Sequence, residues 1–499
     1  MITFITAFLL LIVGYLCYGA VVEKVFGPQP ERKTPCYEFE DGVDYTPMAT
    51  WKVFLIQFLN IAGTGPIFGA ILGIMFGPAA YLWIVLGCIF GGAVHDYMSG
   101  MICMRKNGAS LPEIIGDELG SKTRLGMRLL SMVLLILIGT VFAQTPATLL
   151  ANMTAGDGLD SIAQWTIIWT AVIFAYYILA TLLPIDKLIG KVYPLFGLAL
   201  LIMAIGVGFG ILTQDGSLQE ITEAFENHHP SSSIPIFPGL CITIACGAVS
   251  GFHGTQSPMM ARCLKNEKYG RPIFYGAMIT EGLVALIWAA AAIKFADSFD
   301  ISTIKFTEDF SADTSTPYGR LYAIMTNGGH NGANPAVLVN KICHSWLGTA
   351  GAILAILGVV AAPITSGDTA LRSARLTAAD IIHFKQNKIS KRLALSLPIF
   401  AICIALMFVD FQVIWRYFAW TNQTLATFTL WAITLWLFKQ KKCYWIGLIP
   451  AIWMTLVCST YIFIAPEGLQ LAPSIAYTIG AVITVASIAN FVWDRIRRD

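Results

Sequence analysis

Three carboxylates stand where a membrane-spanning chain has few reasons to keep them. Asp96 follows His95 in FGGAVHDYM, Glu281 lies in GAMITEGLVAL, and Asp368 lies in APITSGDTALRSAR. Each is inside or at the edge of an apolar run. A charged side chain in the bilayer costs about 2.5–3.5 kcal/mol on insertion scales, so such groups are read first as parts of ion paths, proton relays or binding sites. His253, in SGFHGTQSP, belongs with them, because an imidazole changes charge near neutral pH. It suits carrying a proton or holding a carboxylate. A carboxylate hydrogen-bonded to a neighbouring helix, or a histidine in a packed core, is the plainer alternative for each. His95, Asp96 and His253 offer metal-ligand types, but no HxxxH or similar spacing supports a metal. The expectation is no metal and no cofactor, only a coupling ion, H+ or Na+.

A second constellation is made of oxygens. Thr365, Ser366 and Thr369 stand beside Asp368. With backbone carbonyls near Ala62 they would suit a hard cation, which prefers oxygen ligands. The alternative is that the hydroxyls bond to carbonyls of their own helix. The candidate ion-coupling set is therefore His95, Asp96, Glu281, Ala62, Thr365, Ser366, Asp368 and Thr369.

Two apolar stretches must position these groups, and both are interrupted. Trp51 to Phe76 carries Gly63, Thr64, Gly65 and Pro66 at its centre, and Pro238 to Met260 is interrupted around Gly251–Pro258. Non-helical backbone at membrane depth is tolerated only where protein or a wet cavity surrounds it. Transporters use such breaks to hold ions and substrates near the midplane. Gly65–Pro66 and Ser257–Pro258 each place an N-cap type of residue before a proline suited to a first helical turn. A half-helix starting at Pro66, and another at Pro258, would offer free N–H groups and a positive dipole end to a carboxylate. The first half-helices would end in freed carbonyls near Ala62 and Gly63 and near Ser250 and Gly251. The candidate substrate-binding residues are Gly63, Thr64, Gly65, Pro66, Ser250, Gly251, Phe252, His253, Gln256 and Ser257. Asn422, in FAWTNQTLA, is polar at membrane depth and joins them. A packing kink explains either break alone less remarkably; two breaks in corresponding places weigh against it.

The whole chain fits that setting. It has 499 residues, of which 56% are hydrophobic and only 12% charged, against about 25% charged in a soluble domain. An all-α polytopic membrane protein follows. The net charge of +2 gives no reason to expect a nucleic acid. Spans need about 20 apolar residues, and thirteen segments qualify: 2–22, 53–76, 79–104, 125–150, 162–183, 188–213, 237–259, 273–294, 347–369, 393–409, 413–437, 443–464 and 472–492. The first is read as a retained helix rather than a cleaved signal peptide. The ninth has helical spacing as far as Ile382, residues 111–119 read as a short amphipathic helix, and Ala333 to Trp346 is too short to span. Of the 32 basic residues, 27 fall on one side under this alternation and 5 on the other. The positive-inside rule then places the N-terminus outside and the C-terminus inside. Segments 2 and 7 run in opposite directions and are five apart, which suits a five-plus-five inverted repeat. The first repeat would be 51–213 and the second 237–437, with an extra helix at 1–22 and two more at 443–492. Eleven cysteines without a CxxC pair suggest small apolar residues, not a disulfide framework or a structural zinc site.

The runs IAGTGPIFGAILG, FGGAVHDYMSG, RKNGASLPEI, SGFHGTQSPM, YGAMITEGLVALI and APITSGDTALRSARL resemble the carbon starvation protein A family of membrane transporters. So do DGVDYTP and RYFAWTNQTLA. The resemblance extends from about residue 15 to about residue 435. It implies a bacterial inner-membrane secondary transporter of peptides or, in some branches, of pyruvate with protons. It also implies the amino acid–polyamine–organocation superfamily, with its LeuT-like five-plus-five core, in which segment 9 would match the helix lending hydroxyls to a sodium site. The chain departs from the longer members at Gly254–Thr255–Gln256–Ser257, where they carry a Ser/Thr-rich run, and it is shorter on the C-terminal side.

The expected function is inward secondary transport of a small carboxylate-bearing nutrient, with that nutrient and the bilayer as partners. A passive channel, a membrane nutrient sensor and a membrane enzyme are the rivals. No P-loop, HExxH or GxSxG motif points to an ATP-driven pump or an enzyme.

Overall fold

The computed structural model describes the chain except residues 42–44, 155–158, 183–184, 231–233, 309, 330–332, 383, 385–388 and 497–499. Part of the DGVDYTP run thus lies outside the described residues. The described chain is helical throughout and contains no strand. Ten helices are long and apolar enough to cross a membrane, and the bent pair Thr50–Ala62 and Gly65–Phe76 makes eleven. The helix Phe411–Lys439 and the pair Ile236–Thr243 and Gly251–Ala261 are not among those counted on length and apolarity alone. Their polar residues and interruptions are the reason.

Several boundaries move. The fourth segment extends over Ser121–Thr154, and the eighth is preceded by helical turns from Glu267 and ends at Ser298. The stretch expected to be too short to span belongs to a longer helix, Pro335–Ala355, kinked at Gly348. The ninth candidate span runs over Ile353–Ala379, and its last helix continues to Ile381, as its spacing indicates. The short amphipathic helix is Leu111–Leu119. Cys36 and Cys343, which fall outside the thirteen apolar segments, are both buried, in the helices Pro35–Glu38 and Pro335–Ala355.

The first broken span bends by 43°. The turn is made by Gly63, whose φ of +27° and ψ of −137° suit a residue without Cβ. A new helix then begins at Gly65, with Pro66 in its first turn. The second break differs from expectation. Its first half-helix ends at Thr243, residues 244–250 are non-helical, and the second half-helix starts at Gly251. Pro258 is inside that helix, not at its start. A carboxylate at a Pro258 helix start is therefore ruled out, and the freed carbonyls lie near Thr243 to Cys246, not at Ser250 and Gly251. Pro258 is the eighth of the eleven residues of that helix, so its missing N–H forfeits one helical bond, to the Gly254 carbonyl.

The two breaks cross. The Gly65–Gly73 half-helix packs on Gly276–Ser298, and the Gly251–Ala261 half-helix packs on Ala93–Arg105, Phe411–Lys439 and Thr50–Ala62. At the crossing, a Cβ added to Gly65 would lie 2.4 Å from Cβ of Cys246 in the unwound stretch. Real carbons do not approach that closely, so Gly65→Ala should destabilise by about 1–3 kcal/mol, the usual cost of overpacking. Gly126→Ala, which would meet nothing within 4 Å, should be neutral. Adding Cys246→Gly to Gly65→Ala should recover most of the loss in thermal stability of the purified protein. Failure of that rescue would show that the two residues are not the contact that matters.

Candidate functional site at the crossing of the broken helices

The helix Ala93–Arg105 delivers His95 and Asp96, the half-helix Gly251–Ala261 delivers His253, and the helix Gly276–Ser298 delivers Glu281. All four side chains are fully buried. Asp96 bridges two imidazoles: Oδ1 is 2.8 Å from His95 Nδ1, and Oδ2 is 2.8 Å from His253 Nδ1. An ionised carboxylate only accepts, so both Nδ1 atoms carry hydrogen when Asp96 is ionised. His253 Nε2 then faces Glu281 Oε2 at 3.3 Å. The Gly247 backbone N–H also lies beside the Glu281 carboxylate. An attractive contact there needs one proton, on Nε2 or on the carboxyl group. The row His95–Asp96–His253–Glu281 therefore contains one position where a proton can reside on either partner. This row spans three separate helices, so sequence spacing could not reveal it.

Cys246, in the unwound stretch, lies against the end of this row. The ligand atoms of Cys246, His253 and Glu281 lie within 4.8 Å of one another. Thiolate, imidazole and carboxylate are donor types that zinc accepts. These three are the residues that would hold a metal, rather than the His95, Asp96 and His253 set weighed from sequence.

Asn422 explains why the second half-helix starts where it does. Its Oδ1 accepts from the Phe252 N–H at 2.6 Å and from the Ser250 hydroxyl at 3.2 Å, while its Nδ2 donates to Ser250 Oγ at 3.0 Å. A side chain from the Phe411–Lys439 helix thus satisfies one of the N–H groups that a helix start leaves free. Ser250 Oγ also lies 3.8 Å from Cys246 Sγ. Phe252 stacks edge-on against Phe142, which in turn faces Gly63. Ser257 donates to the His253 carbonyl at 3.1 Å, and Gln256 donates to the Thr255 hydroxyl at 3.1 Å.

The freed carbonyls of the second break are largely occupied. Trp83 Nε1 donates to Ile244 O at 3.1 Å, and Gln423 Nε2 donates to Cys241 O at 2.5 Å. The Gln423 contact joins elements far apart in sequence, so only the fold reveals it. On the ninth span, Thr365 donates to Ala362 O at 2.8 Å and Thr369 to Ser366 O at 2.9 Å, both within their own helix. Ser366 instead reaches across to Leu59 O, at 3.3 Å, on the first broken span. Ala62 ends that same half-helix, one residue before Gly63. Asp368 is not brought to the histidine row. It pairs loosely with Arg372, one turn along its own helix, at 3.9 Å. The sequence-selected groups thus divide into a histidine–carboxylate row and a separate hydroxyl group beside the first break.

A profile of the family described as "Carbon starvation protein CstA" matches residues 1–168 and 158–461. The chain belongs to this family. An uncharacterized membrane protein of Haemophilus influenzae is 46% identical over 329 residues, covering 57% of this chain and 88% of that protein. The peptide transporter CstA of Bacillus subtilis is 30% identical over 355 residues, covering 60% of this chain and 59% of that protein. The pyruvate/proton symporter BtsT of Escherichia coli is 29% identical over 338 residues, covering 56% of this chain and 47% of the symporter. The matched region thus spans about half to three-fifths of those two relatives. Among solved structures, a manganese transporter of Eremococcus coleocola superposes with a TM-score of 0.55 at 14% identity, covering 90% of this chain and 95% of that one. That likeness concerns the fold alone. The family members carry transporter names, not enzyme names, and with many apolar helices this chain is a multi-pass membrane protein.

Asn422→Leu would strand the Phe252 N–H and the Ser250 hydroxyl in a buried place. The expected loss is about 1–3 kcal/mol of stability, the usual cost of an orphaned buried group. Thermal unfolding in detergent measures it, and an unchanged midpoint would remove Asn422 as the cap.

Proposed function

We propose that this chain is a proton-coupled secondary transporter that carries a small carboxylate-bearing nutrient, a peptide or pyruvate, into the cell. The observation that carries the reading is the buried row of His95, Asp96, His253 and Glu281 set directly against two crossed helix breaks. Buried ionisable groups at membrane depth are expensive and are retained where they move charge. Relatives named as a peptide transporter and as a pyruvate/proton symporter support the two substrate candidates. A proton is favoured over Na+ because the carboxylates nearest the breaks contact imidazoles, and Asp368 is directed to Arg372.

The architecture we favour has thirteen spans in a LeuT-like arrangement, with residues 51–213 and 237–437 as inverted repeats around segments 2 and 7. Residues 1–22 and 443–492 would be additions. The basic residues favour an N-terminus outside and a C-terminus inside a bacterial inner membrane. In this scheme the half-helix start at Gly65 faces the substrate carboxylate, and rocking of one helix group against the other alternates access. Protonation between His253 and Glu281 would remove the negative charge left at the crossing and permit that motion.

The test is uptake by purified protein in proteoliposomes, with radiolabelled pyruvate and a dipeptide, under an imposed pH gradient and then an imposed Na+ gradient. Accumulation above equilibrium driven by the pH gradient is expected. Asp96→Asn and Glu281→Gln should abolish accumulation while leaving exchange of labelled for unlabelled substrate measurable. Accumulation driven only by Na+ would overturn the proton, and equilibration without accumulation under either gradient would indicate a channel.

A further inference from the structure

The first half-helix carries a polar face that the proton row does not use. Gln57, Asn60 and Thr64 are buried, at 0%, 1% and 0% exposure. Both amide atoms of Gln57, both of Asn60 and the Thr64 hydroxyl have no hydrogen-bond partner among the described residues. Gln57 and Asn60, three apart, share one face of the half-helix Thr50–Ala62, and Thr64 follows in the break itself. Leu55 and Leu59, on the opposite face, meet Gly197 of the helix Ile185–Thr213. The polar face is therefore turned away from that helix, toward neighbours that include the helices carrying His253 and Glu281 and the helix Ala362–Ile381 that carries Ser366. Thr145, one turn from the Phe142 ring that faces Gly63, has a buried hydroxyl that is likewise unpartnered.

Buried carboxamides are normally satisfied, and leaving the five atoms of Gln57, Asn60 and Thr64 unpaired is destabilising unless something polar occupies the space. A carboxamide presents both donors and an acceptor. A keto-carboxylate such as pyruvate presents only acceptors, and would leave the Gln57 and Asn60 carbonyl oxygens orphaned. A peptide bond presents an N–H and a C=O side by side and pairs with a carboxamide through both. Beyond Thr64 the half-helix opens with the amides of Gly65 and Ile67, and its first helical bond runs from Phe68 N–H to Thr64 O at 2.9 Å. Those free N–H groups suit a terminal carboxylate.

We propose that Gln57, Asn60 and Thr64 are the specificity-determining face of the substrate site, reading a main-chain N–H and C=O of a short peptide whose carboxylate lies at the Gly65 helix start. The proposal rests on the transporter reading for its biological sense, but its chemistry is a matter of binding.

Binding separates the two. Isothermal titration of the purified, full-length protein would compare alanyl-alanine, the same dipeptide N-methylated at its peptide nitrogen, and pyruvate. Wild-type protein should bind the dipeptide at least tenfold more tightly than pyruvate. N-methylation, which removes only the N–H and needs no protein variant, should weaken binding at least tenfold. Asn60→Leu and Gln57→Leu should weaken dipeptide binding and reduce the penalty of N-methylation. Pyruvate binding as tight as the dipeptide's, or indifference to N-methylation, would overturn the proposal and leave the amides to buried water. Dipeptide selectivity without any concentrative uptake would uphold this site while refuting the transporter reading. Pyruvate accumulation unaffected by either substitution would do the reverse.

Discussion

Backbone that is not helical has to be satisfied wherever it lies at membrane depth, and in this protein that constraint acts twice at one place. Gly63–Thr64 and residues 244–250 interrupt two spans, and the half-helices around them touch through Gly65 and Cys246. Four polar side chains near the centre can be understood as a response. Trp83 and Gln423 donate to carbonyls released by the second break, Ser366 donates to Leu59 O beside the first, and Asn422 caps the helix that restarts at Gly251. These four side chains come from three different helices, so the breaks are held open by tertiary contacts, not by local turn chemistry.

Satisfying the backbone this way creates room for charge. Asp96 is buried without an arginine or lysine partner, but each of its oxygens meets an imidazole nitrogen. Charge-assisted hydrogen bonds of this kind are stronger than neutral ones and partly offset desolvation. A lysine or arginine would give Asp96 a fixed partner; an imidazole gives one that can exchange a proton. Glu281 completes the row from the other side of His253, with the Gly247 backbone N–H also beside its carboxylate. His253 sits on the half-helix whose start Asn422 caps, so the proton-exchanging contact and the restarted helix share one element.

Asp368 shows the opposite arrangement. It is as buried as Asp96, but it faces an arginine one turn away on its own helix. Burial alone does not distinguish these two carboxylates; their partners do. The hydroxyls of Thr365 and Thr369 make the same point, since both donate within their own helix while Ser366, between them, reaches the broken span.

Much of this was legible in the residues themselves. Hydrophobic run lengths identify a polytopic helical protein, because a bilayer of fixed thickness imposes a fixed length on every span. Gly63 and Gly65–Pro66 mark the first break correctly, since a positive φ and a first-turn proline are local properties of those residues. The second break is misplaced by the same reasoning. Ser257–Pro258 has the composition of a helix start, yet the helix begins at Gly251, where the cap is Asn422, distant by about 170 residues. A cap supplied by another helix leaves no local signature. His95, Asp96, His253 and Glu281 could be selected one by one as ionisable groups in apolar runs, because that cost is written in composition. Their order in a single row, the exclusion of Asp368 from it, and the arrival of Cys246 and Gln57 beside the crossing were decided only by tertiary structure, because each depends on which helix faces which across the bundle.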